Sequence, residues 1–407
     1  MTCRFCGRQL THEFIDLASA PPSNAYLSRV DLRKPELCFP LKLYVCDSCW
    51  LVQTEDYAGS DQLFGPDYAY FSSTSTSWLS HAAEYSEMIC TRLGLDKSSY
   101  LIEIASNDGY LLKNFVKAGI PCLGIEPTDS TAAAAESVGV PVIREFFGLS
   151  LAHRLAGEGR QADLVVGNNV YAHVPDINDF TAGLKVILKP GGTVTLEFPH
   201  LMCLIEHVQF DTIYHEHYSY LSLYAVSRVF EQAGLRVYDV EKISTHGGSL
   251  RVYGCHHDDV RLSSDAVGGL LAEEDAHGLR DLATYQGFQV RADQVKDGLL
   301  SFLLAKKREG KRVMAYGAAA KGNTLLNYAG VKPDLLPMVC DAALSKQGKF
   351  MPGSRIPIVK PDLLREYKPD YVLILPWNIK EEIVANLDYI YEWGGQFVLA
   401  VPAMCVT

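Results

Sequence analysis

Three groups of residues combine types and spacings suited to chemistry. Cys3-Arg4-Phe5-Cys6 and Cys46-Asp47-Ser48-Cys49 are two C-x-x-C pairs. Each pair forms a knuckle presenting two thiolates to one ion, and together they complete a tetrahedral zinc site. A redox role is the rival for either pair alone, but redox motifs rarely come doubled. Four thiolates leave no coordination position open, so this zinc holds structure and takes no part in chemistry. The second group is Tyr214-His215-Glu216-His217, inside the stretch FDTIYHEHYSY. Its H-E-x-H spacing misses the helical zinc signature H-E-x-x-H. In extended chain His215 and His217 point one way, with Tyr214 and Glu216 on the other side. A buried polar cluster without a task is costly to satisfy, so convergent titratable groups argue for acid–base work over a structural hydrogen-bond knot. The third group is LIEIASNDG at 101–109, followed by LGIEP ending in Glu126 and Pro127. A turn of small residues admits close backbone approach to a ligand, and an acid after the next strand can accept from ribose hydroxyls. The dinucleotide spacing G-x-G-x-x-G is absent.

These groups need a scaffold. Leu101–Ile104, Leu123–Ile125, the apolar run Ala162–Val170 and Thr193–Phe198 read as buried parallel strands alternating with helices, such as TAAAAESVG after Glu126. That alternation predicts a doubly wound sheet with ligands at the carboxyl ends of its strands. Phe146 and Asn168 fall just past strand ends, where an adenine would lie. The YHEH loop follows another strand on the same side. Upstream, Tyr68, Tyr70, Phe71 and a run of hydroxyls form either a loop over a cleft or aromatic packing between domains, with a helix starting near Ser75–Ser77. The turn Thr245-His246-Gly247-Gly248-Ser249 either brings backbone N–H groups to a substrate or merely makes a hairpin. Residues 260–310 read as a helical connector. KRVMAYGAAAKG at 311–322 is then a strand entering a small-residue turn, with a helix starting at Asn323, strands ending at Asp341 and at YVLILPWN, and a last strand QFVLAVP. Amides at that helix start, with Lys321 adding charge, suit a diphosphate.

The 407 residues exceed one compact core and predict two or three domains. A net charge of −11 without a basic stripe speaks against nucleic acid as the partner. No apolar run approaches membrane-spanning length and no signal-peptide pattern opens the chain, so a cytoplasmic protein is expected. The 11 cysteines are an odd count and those beyond residue 50 are scattered, which reads as reduced thiols instead of a disulfide framework.

Ala105-Ser106-Asn107-Asp108-Gly109 resembles the first motif of S-adenosylmethionine methyltransferases. The ordered set of the doubled C-x-x-C, YAYFSSTSTSWLSH, EIASNDG, GIEP, NNVYAHVPD, EFPH, FDTIYHEHYSYLS, HGGSLRV and AYGAAAKGNTLLNY resembles the sugar C-methyltransferases acting on nucleotide-linked 4-keto-deoxysugars. One departure is Ala105, where the family pattern has glycine. The resemblance implies an α/β fold in three parts: a zinc-binding module at 1–70, a Rossmann-like class I methyltransferase domain at 71–258, and at 259–407 the connector plus a second Rossmann-like domain for the sugar nucleotide. It implies S-adenosylmethionine held by Ala105, Ser106, Asn107, Gly109, Glu126, Phe146 and Asn168. It implies His217 as base, with Tyr214, Glu216, His173 and Tyr68 around the ketone and Glu216 orienting an imidazole. Tyr70, His215, Lys321 and Asn323 are the expected substrate contacts. The implied acceptor is a keto-deoxysugar on a thymidine or guanosine diphosphate; the oligomeric state stays open. Methyl transfer to oxygen or nitrogen, and a non-catalytic zinc scaffold, are the competing readings.

Overall fold

The computed structural model describes residues 1–55, 57 and 71–407. Tyr68 and Tyr70 lie outside them.

The central sheet has seven strands in the order Leu235–Ile243, Ser249–His256, Leu188–Pro199, Ala162–Asn168, Leu101–Ile104, Cys122–Ile125 and Val142–Ile143. All neighbours run parallel except Ser249–His256, which is antiparallel to both of its partners. The apolar runs form these strands because helices cover both faces, as a parallel sheet requires. Thr76–Leu93 starts where the serine run predicts: the Ser75 side chain accepts from the Trp78 N–H, and left-handed Gly94 ends the helix. The strand after the loop Pro190–Gly192 begins earlier than expected, at Leu188.

A second sheet of six strands carries the C-terminal region. Ile358–Val359, Val339–Cys340, Val313–Tyr316, Tyr371–Ile374 and Gln396–Leu399 run parallel, and Cys405–Val406 closes the edge antiparallel. The helix after Val313–Tyr316 spans Ala320–Tyr328, three residues ahead of the expected start at Asn323. The connector is divided between the two α/β bodies. Leu270 of the helix Asp265–Ala276 joins the core of the central domain, while Phe288, Val295 and Leu299 of Phe288–Arg308 join the core beneath the second sheet.

The N-terminal module is a wedge between both bodies. Its strands His12–Ala20, Phe39–Val45 and Val52–Thr54 form an antiparallel sheet in that order, and Val52–Thr54 also pairs with Ser219–Tyr220, just after the YHEH loop. Phe14, Leu17 and Leu43 bury against the C-terminal core, whereas Cys3, Phe5 and Cys46 bury against the central one. Among the described residues no helix is long and apolar enough to cross a membrane.

Candidate functional site

The sulfurs of Cys3, Cys6, Cys46 and Cys49 all lie within 4.8 Å of one another, with Cys3–Cys49 and Cys6–Cys46 each at 3.5 Å. Thiolates around one tetrahedral zinc are about 3.8 Å apart, so the donor set fits that ion and closes its shell. The Gln53 side-chain N–H donates to Cys3 Sγ, and its carbonyl takes the Arg4 backbone N–H, which fixes the first knuckle.

At the carboxyl end of the central sheet, Ala105 and Asn107 hold φ of 57° and 49°, and Gly109 holds 77°. This left-handed turn aims its polar groups out of the sheet. Glu126 accepts from the N–H groups of Asn107 and Thr128, each at 3.0 Å, and so pins the turn to the next strand. Ser72 N–H donates to Asn107 Oδ1 and Ser73 N–H to Asp108 Oδ2, laying the segment after residue 70 over the turn. Ser106 Oγ, Asp108 Oδ1 and both amide atoms of Asn168 are buried without a protein partner. Orphaned polar atoms gathered at the strand ends of such a sheet are what a bound adenosyl and amino-acid moiety would satisfy, so the residues fit S-adenosylmethionine. Phe146 stands largely exposed beyond the strand Val142–Ile143.

The YHEH loop is not extended. His217 N–H closes a turn onto the Tyr214 carbonyl at 3.0 Å, which breaks the two-residue alternation. Tyr214 therefore shares a side with His217, their rings 4.0 Å apart, and His173 meets His217 edge-on at 4.5 Å. His215 faces away from this group: its Nε2 lies 3.3 and 3.2 Å from the carbonyls of Phe39 and Pro40, tying the loop to the N-terminal module. Glu216 does not orient His217. It is buried and accepts from Asn24 Nδ2 at 3.3 Å, and burial raises its pKa. The orienting group is the Thr212 carbonyl, 3.0 Å from His217 Nδ1. A carbonyl only accepts, so Nδ1 carries the proton and Nε2 keeps its lone pair. Burial, then the neighbouring His173, hold His217 well below the ordinary histidine pKa, and burial brings His173 to about 4.

The C-terminal domain reaches this cluster through two elements. Thr324 Oγ1 donates to the Ile213 carbonyl, and Trp377 Nε1 donates to buried Asp211 at 2.6 Å. Lys321 bonds Asn378 Oδ1 at 2.6 Å and sits over the Trp377 ring at 4.4 Å, close enough to His217 to bias its protonation. Burial lowers the Lys321 pKa to about 8, against the pull of Asp211, and burial raises Asp211 to about 6. Asn323 is turned toward the module: its Nδ2 donates to the Ser23 carbonyl, while Oδ1 stays buried and unpartnered. Asp211, Thr212, Asn24, His246 and Trp377 had no assigned role in the sequence reading; Asp211 and Thr212 adjoin the loop singled out there, and His246 stands in the His-Gly-Gly-Ser turn.

The structure thus joins a zinc module, a cofactor turn and an imidazole cluster, and sequence comparison matches three successive stretches of the chain. Profiles match for the family's zinc binding domain at 3–64, a methyltransferase domain at 78–240 and the C-methyltransferase C-terminal domain at 244–402. The C-methyltransferase NovU of Streptomyces niveus is 35% identical over 400 residues, covering 98% of this chain and 95% of the relative. Among solved structures, the magnesium protoporphyrin IX methyltransferase of Synechocystis PCC 6803 with bound SAH is 12% identical over 44% of this chain and 84% of that one, TM-score 0.35. An S-adenosylmethionine-dependent methyltransferase of Clostridium acetobutylicum is 11% identical over 45% and 91%, TM-score 0.35. Likenesses so distant bear no weight on the reaction. The near full-length relative and the three matched domains do: this chain belongs to the C-methyltransferase family, as an S-adenosylmethionine-dependent enzyme with a structural zinc module.

Proposed function

We propose that the enzyme methylates C3 of a nucleotide-linked 4-keto-6-deoxysugar, with His217 as the base. A carbon beside a ketone is acidic only through its enolate, so the site must remove the C3 proton and tolerate charge on the C4 oxygen. The observation that carries this reading is the His217–Thr212 hydrogen bond, which leaves an uncharged Nε2 beside Tyr214 and His173. In the proposed step Nε2 takes the C3 proton, the C–H pair becomes the C3–C4 π bond, and the carbonyl π pair moves onto oxygen. A positioned base of this kind contributes roughly 10²–10⁴-fold. Tyr214, His173 and Glu216 surround the acceptor in this reading, with Tyr68 expected beside them.

When bound, S-adenosylmethionine supplies an activated methyl group that carbon displaces from sulfur without further catalysis. Glu126 would hold its ribose hydroxyls, and Ser106, Asn107, Asp108 and Asn168 its remaining polar groups. The thymidine or guanosine diphosphate would lie on the second α/β domain, where Lys321 offers charge; the N–H groups of Gly317, Ala318 and Ala319, which the sequence pattern suggests for it, already donate within the protein. The test is NMR of each nucleotide-linked 4-keto-6-deoxysugar with the enzyme in D₂O. Loss of the C3 proton signal without cofactor, and a new C3 methyl with it, is the expected result. No exchange beyond an enzyme-free control with either nucleotide would overturn the assignment.

A further inference from the structure

The turn at 245–249 carries a strained residue for which the reaction above has no use. His246 holds φ 57° and ψ 17°, a left-handed conformation that only a few per cent of non-glycine residues take, histidine among the commoner of them. Gly247 and Gly248 follow at φ 91° and 112°. A Cβ on Gly247 would drive into the Trp377 indole and to 2.9 Å from Gln209 Nε2; one on Gly248 would meet Cys203 Sγ at 2.6 Å. The turn is therefore wedged between the Trp377 loop of the C-terminal domain and the segment 203–209. Gln209 Nε2 donates to the Gly247 carbonyl at 2.7 Å and completes the clamp. Strain that the surroundings impose on a non-glycine residue collects at functional sites.

What the clamp holds in place is an imidazole. The edge of its ring meets Trp78 at 5.2 Å, its Nδ1 is buried without a partner, and the residue as a whole keeps partial access. Its electrostatic neighbours are Lys321 first, then Glu197, His81 and His173. His217 in turn feels His173, His246 and Lys321. Three imidazoles and one ammonium, from four chain segments, thus interact electrostatically, and Trp377, against which Gly247 packs and over which Lys321 sits, ties the His246 turn through Asp211 to the segment leading into the YHEH loop. Burial and the Lys321 charge bring His246 to about 4, so at neutral pH the ring is uncharged, with one N–H to donate.

We infer that His246 is a further catalytic residue, whose neutral imidazole donates a hydrogen bond to the acceptor's carbonyl oxygen as negative charge develops there, across from the base His217. This rests on the proposed C3 deprotonation. As His217 Nε2 takes the proton and the carbonyl π pair moves to oxygen, the His246 N–H gains a strong acceptor, and Lys321 adds positive potential. A neutral donor suits the task, since its own proton stays on nitrogen while it polarises the carbonyl. The clamped turn and the Trp78 contact hold the residue before substrate arrives, so little reorganisation accompanies charge development.

The test is C3-proton exchange in D₂O without S-adenosylmethionine, comparing wild type with His246→Gly, which keeps the left-handed backbone and removes the ring. Exchange should fall roughly 10²–10³-fold, while the dissociation constant of the sugar nucleotide changes far less. Exchange at the wild-type rate in the variant would overturn the role of His246 alone. Absence of exchange in wild type would overturn the deprotonation reading and this inference with it. A second measurement needs no active variant. In wild type labelled with ¹⁵N-histidine, with His246 resonances assigned through His246→Asn, the imidazole N–H should move downfield as sugar nucleotide saturates the site. Resonances of His246 that do not respond to saturation would overturn the inference.

Discussion

His217 Nδ1 donates to the Thr212 carbonyl across 3.0 Å, five residues back along the same loop. Since the partner is backbone, no side-chain substitution removes it, and the basic Nε2 is fixed by the turn itself. His217→Ala should leave S-adenosylmethionine affinity near that of wild type while C3 exchange falls by roughly 10²–10⁴-fold. His217→Gln, which can still donate to Thr212, should keep the fold and be equally slow. Retained exchange in either variant would remove His217 as the base.

The pH profile follows from two lowered pKa values, one on a base and one on a cation. His217 lies well below 6.5 because burial and then His173 disfavour its charged form. A lowered histidine is deprotonated, hence competent, above its folded pKa. On the acid side, activity should therefore stay flat as pH falls from neutral through 6.5, and decline only below. Lys321 is brought down to about 8 by burial, so its ammonium is present below that pH and lost above it. An alkaline limb in kcat/KM near pH 8 is expected, because that parameter reports the free enzyme. Lys321→Met should lower kcat/KM and abolish the limb. An unchanged limb in that variant would assign the loss to another group.

Ala105 bears a cost that can be measured without any ligand. Its φ of 57° is free for glycine, whereas an L-residue loses about 1–2 kcal/mol in that region. Glycine gives back part of the difference through the more flexible unfolded chain, about 0.5–1 kcal/mol. Ala105→Gly should then stabilise the protein by about 0.5–1 kcal/mol in denaturant unfolding. A destabilised variant would mean that the alanine methyl makes a packing contribution larger than its strain.

The sequence made the sheets legible and the meeting points between them obscure. Strands 101–104, 122–125 and 162–168 follow from short apolar runs, and the zinc ligands from doubled spacing, since both signals are local. Extended-chain alternation puts His215 on the side of His217, and one backbone bond, His217 N–H to the Tyr214 carbonyl, replaces that alternation by a turn. Glu216 looked like the partner of an imidazole by adjacency; its hydrogen-bonding partner is Asn24, 192 positions away. Asp211 meets Trp377 across 166 positions. Pairings of that range leave no periodicity for a sequence to display, so the cluster around His217 could be named residue by residue without its geometry.

The zinc module should influence the site at a distance. Thr54 Oγ1 donates to the His217 carbonyl at 3.2 Å, and Thr54 N–H to that of Tyr218 at 3.1 Å. Thr54 ends the strand that begins three residues after Cys49, so the zinc-binding knuckle lies next to the strand that holds the YHEH loop. Arg4 adds a second tie, with Nη1 on the Pro175 carbonyl and Nη2 on that of Thr54. Cys46→Ser should reduce bound zinc, measured by atomic absorption, and lower the melting temperature. In whatever fraction stays folded, C3 exchange should fall more than S-adenosylmethionine affinity, because among the described residues the cofactor turn is held by Glu126 and by the N–H groups of Ser72 and Ser73. A zinc-free variant that folds and exchanges C3 protons at the wild-type rate would show that the module does not hold the loop.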